Sequence, residues 1–329
     1  MVSIRVGNPS HDFVSALRIL PSDEHQLVAV AARDLKSAQE FARIHGIPKA
    51  YGTYDELVGD PDVEVVYVGV INPHHLATVK LVLSHGKHVL VEKPLTLNEK
   101  GSQELMAIAR RHNLFLMEAL WSRFLPSYDF VMNAIKTGAI GQVYHVDVTF
   151  GKAVADEAKL ARKALGGGTF MDIGIYTLNV VLMAFGDEQP LEVKAVGHLN
   201  QYGVDESVSA VFKYSDGRTA NIATSARVNL SCEAHIVGTK GTIKIPFPFW
   251  CADKVYLNDV LHEFAFPPAA EVCNFVNSSG LRHEAVEVRR CLTSGRTESE
   301  VMPHEASRGL ARLMDEIRRQ VGVKYDVDD

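Results

Sequence analysis

The sequence predicts an α/β protein: an N-terminal doubly wound parallel sheet, followed by a C-terminal α+β part built on a largely antiparallel, open sheet. Residues 1 to about 119 alternate short, nearly continuous apolar runs with amphipathic helical patterns. Such runs are strands buried on both faces, and strand–helix alternation closes into a parallel sheet with right-handed crossovers. After about residue 120 the runs follow one another closely with turn residues between them, as hairpins do. At 329 residues the chain is too long for one ordinary core. The predicted domains are 1–119 and 120–329, with the C-terminal helix free to pack back on the first.

Residues 1–6 read as a strand, and Phe13, Val14 and Leu17 space the packing face of a helix that ends before Pro21. Residues 26–32 are a continuous apolar strand, and 37–45 follow as a helix with Phe41 and Ile44 on one face and Gly46 as its stop. Residues 63–68 are the next buried strand. Residues 74–85 form a helix whose apolar side holds Leu76, Val79 and Leu83, with Gly86 as its C-cap. Strands at 88–91 and 114–117 flank a helix that Asn98 caps. Ligands in such folds bind at the carboxyl ends of the strands. In the second half, helices are predicted at 127–137 and 173–185, and strands at 143–150, 192–197, 207–214, 218–225, 232–238 and 241–245. Asp216-Gly217 marks a hairpin tip and residues 239–242 a second turn. Helices at 280–293 and 304–322 complete the pattern.

Hydrophobic residues make up 47% and charged residues 22%, the balance of a soluble globular protein. A net charge of -6 leaves no basic footprint for nucleic acid or an anionic membrane. No apolar run reaches the roughly 18 residues of a membrane helix, and residues 1–6 lack the apolar core of a secretory signal. Cys232, Cys251, Cys273 and Cys291 lie far apart with no C-x-x-C spacing, which reads as free thiols in a reducing, cytoplasmic setting and gives no zinc site.

Four local motifs sharpen the outline. Glu92-Lys93-Pro94 closes a buried strand. Residues 117–126 read Met-Glu-Ala-Leu-Trp-Ser-Arg-Phe-Leu-Pro, residues 167–176 Gly-Gly-Thr-Phe-Met-Asp-Ile-Gly-Ile-Tyr, and residues 235–241 His-Ile-Val-Gly-Thr-Lys-Gly. In this order they resemble the glucose–fructose oxidoreductase/inositol dehydrogenase (Gfo/Idh/MocA) family over nearly the whole chain. Many members carry Asp-x-Gly-x-His where this chain has Asp172-Ile173-Gly174-Ile175-Tyr176; the tyrosine, together with residues 118–124, points to the dihydrodiol and D-xylose dehydrogenase branch.

The resemblance implies NADP-dependent removal of hydride from a trans-dihydrodiol of an aromatic hydrocarbon, or from C1 of an aldopyranose such as D-xylose. That chemistry needs a nicotinamide within hydride reach of the carbon and a base for the hydroxyl proton. By resemblance Lys93 polarises the reacting oxygen, and Pro94 restricts it toward extended geometry. Tyr176 is the expected proton donor and acceptor; a phenol of ordinary pKa, about 10, needs a nearby cation for that, which Lys93 supplies. Asp172 lies four residues earlier, on the same helical face, and orients the substrate or the lysine. The plain alternatives are a solvated Lys93, Asp172 as a helix N-terminal charge and Tyr176 as a core aromatic.

His75 matches the family's substrate-side histidine, in a loop whose Asn72 and Pro73 border the cofactor with Glu92 and Lys93; the alternative is a helix-start histidine. Trp121 and Phe150 either wall a ring-shaped substrate or sit in the core. Arg33, after the 26–32 strand, stands where NAD-specific folds carry an acid, which favours the 2′-phosphate of NADP over a plain surface arginine. Asp34 directly follows it.

A Rossmann first loop reads G-x-G-x-x-G, so that backbone amides approach the pyrophosphate at a helix start. Residues 4–14 hold one glycine, Gly7, and Pro9 removes a donor. Either Gly7, Asn8 and Ser10 still serve a shortened loop, or the cradle is lost and the chain is a cofactor-impaired binding protein. A third reading is another sugar or polyol dehydrogenase of the same family. The open sheet face is expected to form a homodimer, with Trp250 an interface or a core aromatic.

Overall fold

The computed structural model describes residues 2–4 and 7–328. Two compact units emerge: residues 1–96, 100–124 and 266–304 in the first, residues 97–99, 125–265 and 305–329 in the second. The first unit thus extends to Phe124, and residues 266–304, which the sequence assigned to the second domain, cluster with it.

The first unit runs β1 (Val2–Ile4), α1 (Asn8–Leu17), β2 (Ala29–Ala31), α2 (Leu35–His45), β3 (Lys49–Tyr51), α3 (Tyr54–Gly59), β4 (Val65–Val68), α4 (His75–Ser84), β5 (His88–Glu92), α5 (Glu99–His112) and β6 (Leu116–Ala119). Its strands pair in parallel in the order β3-β2-β1-β4-β5-β6. That is the Rossmann order, and the reversal between β1 and β4 is its switch point. Val66, Val68, Val89 and Val91 are fully buried, because helices cover both faces of a parallel sheet. Each such side chain contributes roughly 1.5–3 kcal/mol.

Local signals set the helix ends. Asp34 caps α2 by accepting the Ser37 amide at 2.8 Å, and Gly46 ends it at φ 63°. Thr53 and Glu56 form a capping box on α3. Strand β3 and helix α3 escape the sequence pattern: three half-buried residues and six helical ones carry too little periodicity.

Residues 270–278 are tied to α1. The buried Asp12 carboxylate accepts from the Asn274 amide and side chain, both at 2.8 Å, the Phe275 amide at 2.9 Å and Ser278 Oγ at 2.6 Å. This tie is the physical reason that residues beyond 265 join the first unit. They lead into α9 (Arg282–Thr293), which packs on α1. Helix α9 thus clusters with the first unit.

The second unit contains α6 (Pro126–Lys136), β7 (Val143–Gly151), α7 (Ala158–Ala161), a π-helical turn (Phe170–Gly174), α8 (Ile175–Ala184), β8 (Glu192–Leu199), β9 (Asp205–Lys213), β10 (Thr219–Ser225), β11 (Ala234–Gly238), β12 (Thr242–Ile245), β13 (Lys254–Leu257), β14 (Val260–Glu263) and α10 (His304–Val321, of which His304 clusters with the first unit). Its eight strands are ordered β14-β13-β12-β11-β7-β10-β9-β8; β7 and β10 pair in parallel and the other neighbours antiparallel. Asp216 (φ 58°) and Gly217 (φ 75°) make the expected tight hairpin, and Asn258 (φ 49°) and Asp259 (φ 65°) make the one that joins β13 to β14.

All ten residues of α8 are buried against one face of this sheet. On the other face Val196 and Val211 are 72% and 52% exposed. Gln320 of α10 pairs with the backbone of edge strand β8 through Val193 O and Ala195 N. Among the described residues, Lys163–Ala184 is the stretch long and apolar enough to cross a membrane, and 89% of its window is buried, as in a core helix.

Candidate active site

In the first unit, the carboxyl ends of the parallel strands gather the residues picked from the sequence. The Glu92-Lys93-Pro94 turn leaves β5 with a cis Lys93–Pro94 peptide bond. Three buried side chains brace it. Tyr67 at the end of β4 donates to Glu92 Oε1 at 2.6 Å. Glu118 at the end of β6 accepts the Leu95 amide at 2.8 Å. His75 at the start of α4 lies 2.8 Å by Nδ1 from Pro94 O and 2.9 Å by Nε2 from Val70 O.

Both ring nitrogens of the fully buried His75 therefore face backbone carbonyls. This differs from the substrate-placing role expected for it: the ring is a strut between two loops. Asn72 is buried and opens a 3-10 turn, with Pro73 in its second position. Trp121 is buried in a 3-10 turn just beyond β6. Tyr67 is itself held by Phe13 of α1, stacked at 3.9 Å. Tyr67 carries no motif, and its place late in a strand was the only signal that pointed to this edge.

Glu284, at the start of α9, is fully buried with no hydrogen-bond partner for either oxygen among the described residues. Burial pushes its pKa well above the carboxylate range, and the nearby Glu92 charge adds to that.

At the β1–α1 junction, Gly7 precedes α1 in extended backbone, and among the described residues nothing lies within 4 Å of where its Cβ would be. Ser10 Oγ is buried without a partner among the described residues, 2.8 Å from where a Cβ on Gly69 would stand. The amides of Asn8 and Ser10, in the first turn, have no intrahelical acceptor, while Pro9 has no N–H. Open backbone, an unmet hydroxyl and helix-start donors fit the phosphates of a dinucleotide, with fewer amides than a three-glycine loop offers. Arg33 is exposed just past the end of β2, and Asp34 is engaged as the α2 cap, which holds its carboxyl below the usual range.

In the second unit, Asp172 lies in the π turn and Tyr176 at the start of α8. The π turn replaces the regular α-helical spacing assumed between them. The Phe170 ring lies against Gly174, where a Cβ would stand 2.2 Å from it. Asp172 is 3.4 Å from Lys159 Nζ of α7, a partly exposed pair of small energetic weight. Tyr176 is 8% exposed, with its ring 6.0 Å from Phe150. Phe150 stacks on Trp250 at 4.2 Å and meets Phe249 edge-on. In this unit the half-buried Trp250 therefore builds the aromatic wall around Phe150, the ring that lies 6.0 Å from Tyr176.

The loop before the π turn is held by residues the motifs did not include. Asp205 Oδ2, at the start of β9, accepts the Phe170 amide at 2.7 Å, and the Asp205 carbonyl accepts from Thr169 at 3.1 Å. Tyr325 donates to the Gly167 carbonyl. Burial raises the Asp205 carboxyl to about 6, against the opposing pull of the Phe170 amide and of Arg318.

The two units define a class: an oxidoreductase with a nicotinamide-type Rossmann domain joined to a mixed-sheet domain. The family models agree. Residues 6–120 match the oxidoreductase family, NAD-binding Rossmann fold, and residues 128–244 match the GFO/IDH/MocA C-terminal domain. The chain is 47% identical over 98% of its length to the trans-1,2-dihydrobenzene-1,2-diol dehydrogenase of Danio rerio, covering 96% of that protein. It is 40% identical over 99% of its length to the protein of the same name from Homo sapiens, covering 97% of it. An aldose-aldose oxidoreductase from Caulobacter crescentus shares the fold at a TM-score of 0.81 and 23% identity, over 97% of this chain and 96% of that one. The chain belongs to the Gfo/Idh/MocA oxidoreductase family.

The raised Asp205 carboxyl has a signed consequence. Its folded pKa, about 6, lies above the unfolded value near 3.8. The neutral form is therefore favoured by folding, and its stabilisation is full below the unfolded value and is lost as pH rises through the folded one. The melting temperature of the wild type minus that of Asp205→Asn is expected to fall from about pH 4 to about pH 6. A difference that is flat or rises over that window contradicts the assignment.

Proposed function

We propose that this chain is an NADP-dependent dehydrogenase that oxidises trans-dihydrodiols of aromatic hydrocarbons, with D-xylose-type aldopyranoses as alternative substrates. The observation that carries this reading is Tyr176, a phenol buried at a helix start beside the aromatic wall of Phe150 and Trp250. A proton-transfer group at an apolar shelf suits a ring-bearing diol. When bound, the nicotinamide supplies the hydride acceptor.

The chain's own residues do the rest. Tyr176 takes the hydroxyl proton, Lys93 polarises the oxygen, and Asp172 orients the reacting group. Gly7, Asn8 and Ser10 hold the phosphates, Arg33 the 2′-phosphate, and Asn72, Pro73 and Glu92 border the cofactor. Trp121 and Phe150 shape the substrate side. His75 braces Pro94 rather than touching substrate. The first unit is the dinucleotide domain and the second the substrate and dimerisation domain, acting in the cytoplasm. A second copy of the chain covers the sheet face that bears Val196 and Val211.

A second reading, a cofactor-impaired binding protein, is favoured by one observation: the first turn of α1 offers Pro9 where a phosphate-binding loop offers an amide. NADPH binding separates the two. Micromolar affinity supports the enzyme, and no binding supports the second reading.

Lys93→Met is expected to lower turnover of trans-dihydrodiols and D-xylose by about 10³-fold or more, with an unchanged melting temperature. Unchanged turnover removes the catalytic assignment. Arg33→Ala is expected to weaken NADPH by roughly ten- to a hundredfold while leaving NADH unaffected, as loss of a charge-assisted contact does. Equal effects on both cofactors reject the 2′-phosphate role. Sedimentation equilibrium is expected to give a dimer that Val211→Glu converts to a monomer; a monomeric wild type removes the dimer proposal.

A further inference from the structure

Thr169, which precedes the π turn that carries Asp172, supplies no side-chain cap to it, and the first amides of any helix lack intrahelical acceptors. An outside group must supply one. Asp205 does, and Tyr325 holds the loop before the turn; both come from distant parts of the chain. Asp205, 2% exposed, takes the Phe170 amide at 2.7 Å. Tyr325, also 2% exposed, donates to the carbonyl of Gly167.

The two side chains close on the same point. A Cβ on Gly168 (φ 121°) would stand 2.8 Å from Asp205 Oδ1 and 3.2 Å from the Tyr325 hydroxyl. Tyr325 is fixed in turn. Its amide donates to Asp328 Oδ2 at 2.9 Å, Asp328 pairs with Arg318 at 2.8 Å, and the Arg318 guanidinium lies over the Tyr325 ring at 4.9 Å. A buried carboxyl and a buried phenol are costly beside an apolar packing of the same volume. Their partners here are the backbone two to five residues before Asp172.

We infer that Asp205 and, through Tyr325, the C-terminal tail are positioning residues that set Asp172 and Tyr176 for proton transfer. The inference rests on the catalytic reading of those two residues. Misplacement of a reacting group by about 1 Å costs on the order of a hundredfold in rate.

The test uses the full-length protein at a temperature where circular dichroism shows every variant folded. Asp205→Ala is expected to lower kcat at least about tenfold while NADPH affinity stays within about twofold of wild type, because the cofactor residues lie in the first unit. Asp205→Asn, which keeps the acceptor, is expected to restore kcat to within about threefold of wild type. Tyr325→Phe removes one hydroxyl, serves if Asp205→Ala does not fold, and is expected to lower kcat about threefold. Amide exchange across residues 168–176 is expected to rise about tenfold in Asp205→Ala and to return in Asp205→Asn.

A kcat within twofold of wild type in both Asp205→Ala and Tyr325→Phe, while Lys93→Met is inactive, overturns the inference and leaves the catalytic reading standing. Unchanged exchange in residues 168–176 overturns it whatever the turnover. A fully active Lys93→Met overturns the catalytic reading and with it the positioning role, and the exchange result then reports only a structural tie.

Discussion

A parallel sheet delivers the carboxyl end of every strand to one edge, and the first unit is organised by that constraint. The strands of the β3-β2-β1-β4-β5-β6 sheet are each followed by a loop at this edge. Residues as far apart in sequence as Gly7, Arg33, Asn72, Lys93 and Trp121 are gathered there because right-handed crossovers return the chain to the same side each time. Loops so placed still need to be held. The Glu92-Lys93-Pro94 turn is held by Tyr67, Glu118 and His75, none of which is exposed. Their partners are two backbone groups and a carboxylate, so each buried polar atom that braces the turn also meets its own need for a partner.

The second unit solves a similar problem with a different device. Its mixed sheet is covered on one face by the wholly buried α8, and such a helix cannot orient its first turn by surface charge. Orientation comes instead from polar groups brought in from β9 and from the tail after α10. The glycines around Asp172 have steric reasons. Gly174 makes room for the Phe170 ring, and Gly167 lies so close to the carbonyls of residues 159, 160 and 162 that a Cβ would stand between 2.4 and 2.8 Å from them. The Gly-Gly-Thr-Phe-Met-Asp-Ile-Gly motif is thus a packing solution as much as a chemical one.

Helix α1 is anchored by contacts with residues distant in sequence. Asp12 takes four hydrogen bonds from residues 274–278, His11 lies 3.0 Å from Val272 O, and Phe13 stacks on Tyr67. Four donors on one carboxylate keep residues 274–278 in the first unit, and Phe13 links α1 to the brace on Glu92.

Much of the fold was legible in the chain because its signals are local. Continuous valine runs, Gly46 and Gly86 as helix stops, and Asp216-Gly217 as a turn each depend on a few neighbouring residues. The Glu-Lys-Pro and Asp-Ile-Gly-Ile-Tyr segments were legible for the same reason, as was membership of the family. Strands β13 and β14 were not read, although Asn258-Asp259 between them was a turn signal in plain view. The sequence could not show that His75 spends both ring nitrogens on backbone carbonyls, that Trp250 stacks on Phe150, or that residues 266–304 return to the first unit. Nor could it show that Asp205 and Tyr325 cap the turn before Asp172. Apart from the bond from His75 to Val70, these are contacts between residues 19 to 266 positions apart. Periodicity and spacing encode what a residue does to its near neighbours; which distant carbonyl or amide a buried side chain meets is decided only when the sheets have brought the two together and water has been excluded from between them.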